Sequence, residues 1–73
     1  MFEKVKNTLL EYVEYEDEIT RETQFLKDLK MNSYDIIAMI GQLEEEFNVS
    51  IENEDLQQII TVGDLVDYLS ERI

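Results

Sequence analysis

The apolar rhythm between Asn32 and Phe47 constrains this chain more than any other feature. Ile36, Ile37, Ile40, Leu43 and Phe47 recur at the spacing of one helical face. Asn32 is a favoured N-cap residue, and Asp35 places negative charge in the first turn. The spacing predicts a helix from about Ser33 to Phe47, with Ser33 at its first position. Backbone N–H groups there have no intrahelical partner, and the macrodipole is positive. A phosphate on the Ser33 hydroxyl would therefore be held electrostatically before any side chain contributed. Ser33 is the chemical centre of the sequence.

The remaining elements follow from the same patterns. Phe2, Val5, Leu9, Tyr12 and Val13 share one side of a helix running from about Phe2 to Tyr15. Glu16-Asp17-Glu18 ends that pattern and starts a loop of roughly sixteen residues, a length that in a compact domain is usually functional or disordered, and apolar anchors argue against disorder. Ile19, Phe25, Leu26 and Leu29 are its expected apolar anchors. Asn48 to Ile51 reads as short and extended, with Val49 and Ile51 inward. Glu52 to Asp55 opens a brief helical turn carrying Leu56 and Ile59. Thr61 caps the last helix, with Asp64 at the capping-box position. Val62, Leu65, Val66, Leu69 and Ile73 form its buried stripe. The expected fold is all-α, a small helical bundle of three main helices plus one short helix, in a single domain over residues 1–73.

Charge narrows the function. Eighteen acidic residues face six basic ones, for a net charge of -12. No basic stripe exists to displace phosphate counterions, so nucleic acid is excluded as a partner. Anionic membrane surfaces are disfavoured for the same reason, and no segment has the apolar length of a membrane span. Partners are expected to carry basic patches, with salt-sensitive association. The chain has no cysteine and no histidine. Ser33 therefore cannot be the nucleophile of a hydrolytic triad, and no catalytic residue is expected. Glu52-Asn53-Glu54-Asp55 lacks the glycine and closing glutamate of a calcium loop, so no metal site is expected. The sequence reads as a complete, monomeric, cytoplasmic protein.

Laid out in this way, the chain resembles the acyl carrier proteins over nearly its whole length. The likeness is sharpest from Phe25-Leu26-Lys27-Asp28-Leu29 through Asn32-Ser33-Tyr34-Asp35. It continues in Leu43-Glu44-Glu45-Glu46-Phe47, in Ile51, and in Ile60-Thr61-Val62-Gly63-Asp64-Leu65-Val66-Asp67-Tyr68-Leu69. In that family the serine of an Asp-Ser-Leu motif is esterified with 4′-phosphopantetheine drawn from coenzyme A. The resemblance implies that Ser33 is the attachment site and that the cofactor thiol carries acyl groups for fatty acid or related secondary-metabolite biosynthesis. A phosphopantetheinyl transferase and acyl-loading and condensing enzymes with basic docking patches would be its partners. Asn32 and Tyr34 stand where the family motif has Asp and Leu. The alternatives are an aminoacyl, D-alanyl or peptidyl carrier, or an unmodified bundle acting only as an interaction subunit.

Two groups of residues are expected to surround the site. Met39, Ile40, Leu43, Ile51, Leu56, Ile59, Val62 and Leu65 would line an acyl pocket between the helices. By the resemblance, Leu56 and Leu65 are bulkier than the residues usual at these positions, which favours short or partly exposed acyl groups there. Tyr34, Asp35, Ile37, Ala38, Glu44 and Glu45 would form a docking strip beside Ser33. Gly41 lies on that strip, inside a helix where glycine costs up to about 1 kcal/mol relative to alanine.

Overall fold

The computed structural model describes all residues 1–73. Its helices are α1 (Phe2–Leu9), α2 (Ser33–Phe47), α3 (Asn53–Leu56) and α4 (Val62–Arg72). No strand forms; one isolated antiparallel bridge joins Gln24 to Thr61. The all-α expectation of three main helices and one short helix holds.

Helix α1 is shorter than its apolar pattern suggests. It stops at Leu9, and the chain then tightens into turns, with the Glu11 amide bonded to the Thr8 carbonyl and Tyr12 to Leu9. Two causes act together. Tyr12, Val13 and Tyr15 are weak helix formers, and Glu11 and Glu14 would put negative charge on the negative end of the helix dipole. Tyr12 instead donates its hydroxyl to Gln42 Oε1 at 2.7 Å, tying the turn to α2.

Helix α2 begins and ends on local rules. Asn32 caps it, and Asn48 closes it in the left-handed conformation at φ 56°. Asn48 is thus a helix cap and not the start of an extended segment as its sequence suggested. Helix α4 carries a complete capping box between Thr61 and Asp64. Its buried stripe is Val62, Leu65, Val66 and Leu69, whereas Ile73, expected inside, lies past the helix end and is 67% exposed.

The backbone of α1 lies close to those of both α2 and α4, whereas the backbones of α2 and α4 stay apart. The long loop fills the space, with Ile19, Phe25, Leu29 and Met31 buried alongside Val5, Leu9, Met39, Leu43, Leu65 and Leu69. Leu26, expected as an anchor, points outward and is 65% exposed. The loop is also stitched to the start of α4. The Phe25 amide donates to the Ile60 carbonyl, Val62 to Thr23, and Gly63 to Arg21 at 2.8 Å. Gly63 is required by this approach, since a Cβ there would sit 2.9 Å from the Arg21 carbonyl oxygen. Gly41 faces open space and is required by no packing contact.

Candidate functional site

The loop delivers the chain to Ser33 through a set of fixed points. Asp28 Oδ2 accepts from the Gln24 amide at 2.8 Å, and the Met31 amide donates to the Phe25 carbonyl. Met31 is 3% exposed and acts as the last anchor. Sequence reasoning missed it because a lone Met between Lys30 and Asn32 belongs to no periodic pattern. Lys30 turns the chain with a left-handed φ of 54°, a conformation that costs a non-glycine residue about 1–2 kcal/mol.

At Asn32 the backbone is extended, and its side-chain oxygen accepts from the Asp35 amide at 2.8 Å. The Ile36 amide donates to the Asn32 carbonyl. The amides of Ser33 and Tyr34 have no protein partner, so two donors remain free beside the exposed Ser33 hydroxyl. Three of the six basic residues make ion pairs: Lys4 with Glu46, Arg21 with Asp67, and Arg72 with Asp55 and Glu71. Lys27 and Lys30, in the loop leading to Ser33, make none.

Large apolar side chains stand exposed at this end of the molecule. Tyr34 is 80% exposed and Ile37 63%, with Leu26 and Ile60 also outward. Ile37 therefore leaves the core face that the sequence rhythm assigned to it. Tyr34, Ile37, Gly41 and Glu45 follow one another at helical spacing, all exposed. Asp35 and Ala38 flank them half-buried. Glu44 is occupied elsewhere: its carboxylate accepts from the Ile51 amide at 2.7 Å, fixing the α2–α3 connection.

An apolar groove of about 390 Å³ opens between the loop, α2 and α3. Phe25, Leu26, Ile36, Leu56, Ile59 and Ile60 supply its apolar walls. Ile36 is one helical turn from Ser33, so the groove starts on the face that carries the serine. Of the eight residues expected to line a pocket, Leu56 and Ile59 border this groove. Met39, Ile40, Leu43, Ile51, Val62 and Leu65 are closely packed core residues instead. The difference arises because the loop occupies the space between α2 and α4. Phe25, Leu26, Ile36 and Ile60 were missed as wall residues. Only Ile36, within the apolar rhythm after Ser33, carried a signal. No helix is long and apolar enough to cross a membrane. No cluster of His, Cys, Asp or Glu is arranged to hold a metal ion.

Comparison with known proteins gives a consistent result. The family model described as "Phosphopantetheine attachment site" matches residues 3–69. Acyl carrier proteins from three strains of Clostridium perfringens are 43% identical over 72 residues, covering 97% of this chain and 95% of theirs. Among solved structures, a Mycobacterium tuberculosis chain assigned as an acyl carrier protein superposes with a TM-score of 0.88 at 28% identity, covering 96% of this chain and 95% of that one. The acyl carrier protein of Enterococcus faecalis gives 0.86 at 30% identity, covering 99% and 92%.

Proposed function

The chain belongs to the phosphopantetheine-attachment family of acyl carrier proteins, and on that premise we propose that Ser33 carries its 4′-phosphopantetheine. The observation that supports this choice is the pairing of an exposed hydroxyl with the free Ser33 and Tyr34 amides at the start of α2. A phosphodiester at that position meets two N–H donors and the positive end of a 15-residue helix. Lys27 and Lys30 add the nearby charge in sequence. The residues present thus fit the group. When attached, the group supplies a terminal thiol that holds acyl chains as thioesters, which a chain without cysteine cannot do.

The protein's own part is positioning. A transferase activates Ser33 Oγ, which attacks the pyrophosphate of coenzyme A; the new O–P bond forms and adenosine bisphosphate leaves. The Asn32 cap holds Ser33 one helical turn before Ile36, a wall of the groove. The apolar walls of Phe25, Ile36, Leu56 and Ile59 favour an acyl group over an aminoacyl one, because a charged amine would lose its hydration there. At about 390 Å³ the groove is near the lower end of ligand cavities, which favours short to medium chains. Tyr34 and Ile37 offer apolar contact to a partner, and Asp35 and Glu45 steer its basic surface. The transferase and the acyl-loading and condensing enzymes of fatty acid or related biosynthesis meet this face, with the carrier acting as a cytoplasmic monomer.

The test is incubation with coenzyme A and a broad-specificity phosphopantetheinyl transferase, read by intact mass. Wild type gains one phosphopantetheine and Ser33→Ala gains none. A wild type left unmodified by several transferases, or a Ser33→Ala variant gaining the same mass, overturns the assignment.

A further inference from the structure

Helix α3 is the weakest element of the fold and also a wall of the groove. It has only four residues, buries none of them, and has no side-chain cap at Glu52. Its backbone lies close to that of no other helix. A helix this short has no stability of its own. On one side Leu56, with Ile59 just beyond it, borders the apolar groove.

The opposite side is held by polar contacts from α4. The Tyr68 hydroxyl donates to Asp55 Oδ2 at 2.6 Å and accepts from the Glu52 amide at 3.5 Å. Arg72, one turn further on, places its guanidinium 3.5 Å above the Tyr68 ring centre and 3.8 Å from Asp55. Tyr68 thus touches Glu52 at the N-cap of α3, Asp55 within it, and the arginine that pairs with Asp55. The bond to Asp55 also holds the Tyr68 phenol above its ordinary pKa, as expected for a hydroxyl that donates to a carboxylate.

We propose that Tyr68, acting with Asp55 and Arg72, is a latch that fixes α3 as the groove wall and so limits the length of acyl chain the protein shelters. The inference rests on the reading of the groove as the acyl site. Leu56 and Ile59 can move outward only if α3 swings away from α2, and Tyr68 restrains that swing from the α4 side. Tyr68 is a positioning residue: it acts on the chain through α3. Releasing it leaves the core of Val5, Leu9, Met39, Leu43 and Leu69 in place while freeing the wall.

Two measurements on Tyr68→Phe test this. The first needs no cofactor: amide hydrogen exchange of the apo protein. The amides of Asp55, Leu56, Gln58 and Ile59 are bonded within the α3 segment. They should exchange about three- to tenfold faster in Tyr68→Phe, the range set by loss of one partly exposed hydrogen bond. Amides of α2 should be unchanged. The second loads hexanoyl and dodecanoyl phosphopantetheine from the corresponding acyl-coenzyme A and compares melting temperatures. In wild type the longer chain should add little over the shorter. In Tyr68→Phe the dodecanoyl form should gain several degrees relative to the hexanoyl form. Arg21→Gln breaks an ion pair between the loop and α4 that includes no residue of α3, and serves as the control. Unchanged exchange in α3, an equal fall of both acyl forms, or the same response in Arg21→Gln overturns the latch. Failure of wild type to load at all overturns the Ser33 assignment instead, and the exchange measurement still decides the latch.

Discussion

The Glu44 carboxylate is bonded to the Ile51 amide at 2.7 Å, seven residues further along the chain. This contact assigns an acidic residue of the Glu44-Glu45-Glu46 run to structure. Its neighbour Glu45 is exposed and free to meet a partner.

Glu44→Gln should retain the bond, weakened, whereas Glu44→Lys should lose it and destabilise the protein by about 1–3 kcal/mol. Urea denaturation of the two variants beside wild type checks this. Equal stabilities for Glu44→Lys and wild type would show that the bond contributes nothing.

Glu45→Lys should leave stability nearly unchanged and slow modification by the transferase, chiefly at low salt, because rim charges act on association within about one Debye length. Tyr34→Ala should weaken modification at any salt, since an apolar contact is not screened. Glu71→Lys changes the net charge equally from α4, off the strip. If it slows the reaction as much as Glu45→Lys, only overall charge matters.

The two glycines should respond oppositely to alanine. Gly41→Ala meets open space in a helix interior and should stabilise by about 0.5–1 kcal/mol. Gly63→Ala drives a methyl group against the Arg21 backbone carbonyl, which cannot move without breaking the loop-to-α4 bonds. It should destabilise by about 1–3 kcal/mol, as overpacking does. Thermal melts of both variants decide the signs.

Leu43 is fully buried at the centre of α2, and Leu43→Ala should cost about 2–5 kcal/mol, a large share of a small domain's stability. A denaturant midpoint unchanged from wild type would contradict the close packing described.

Asp64 sets a pH dependence. The Thr61 and Ile60 amides hold its carboxyl below the ordinary value of 3.8 in the folded state. A depressed folded pKa means that its stabilisation is present above about pH 4 and is lost as pH falls through the folded pKa. The stability difference between wild type and Asp64→Asn should therefore be constant near neutrality and shrink below pH 4. A difference independent of pH down to pH 2 would show that the charge of Asp64 plays no part.

What was legible in the sequence was local. Asn32 and Thr61 cap their helices within three residues of themselves, and Ser33 followed from the first. The fold class needed only the periodic stripes. Features depending on distant neighbours were hidden. Ile37 and Leu26 are as apolar as Ile40 and Phe25, and only the path of the loop decides which pair is covered. The groove walls come from three separate stretches that no periodicity links. The Tyr68–Asp55 contact spans thirteen residues and two helices, and the end of α1 depended on Tyr12 finding Gln42.

The stitching of Arg21, Thr23 and Phe25 to Ile60, Val62 and Gly63 has a consequence in time. The loop that presents Ser33 gets its register from residues synthesised long after it. Contacts so far apart in sequence close late, because their entropic cost precedes their reward. A growing chain ending before Thr61 holds the serine in an unanchored segment. An arm attached at Ser33, as proposed above, would then be added to finished molecules and not to ribosome-bound fragments.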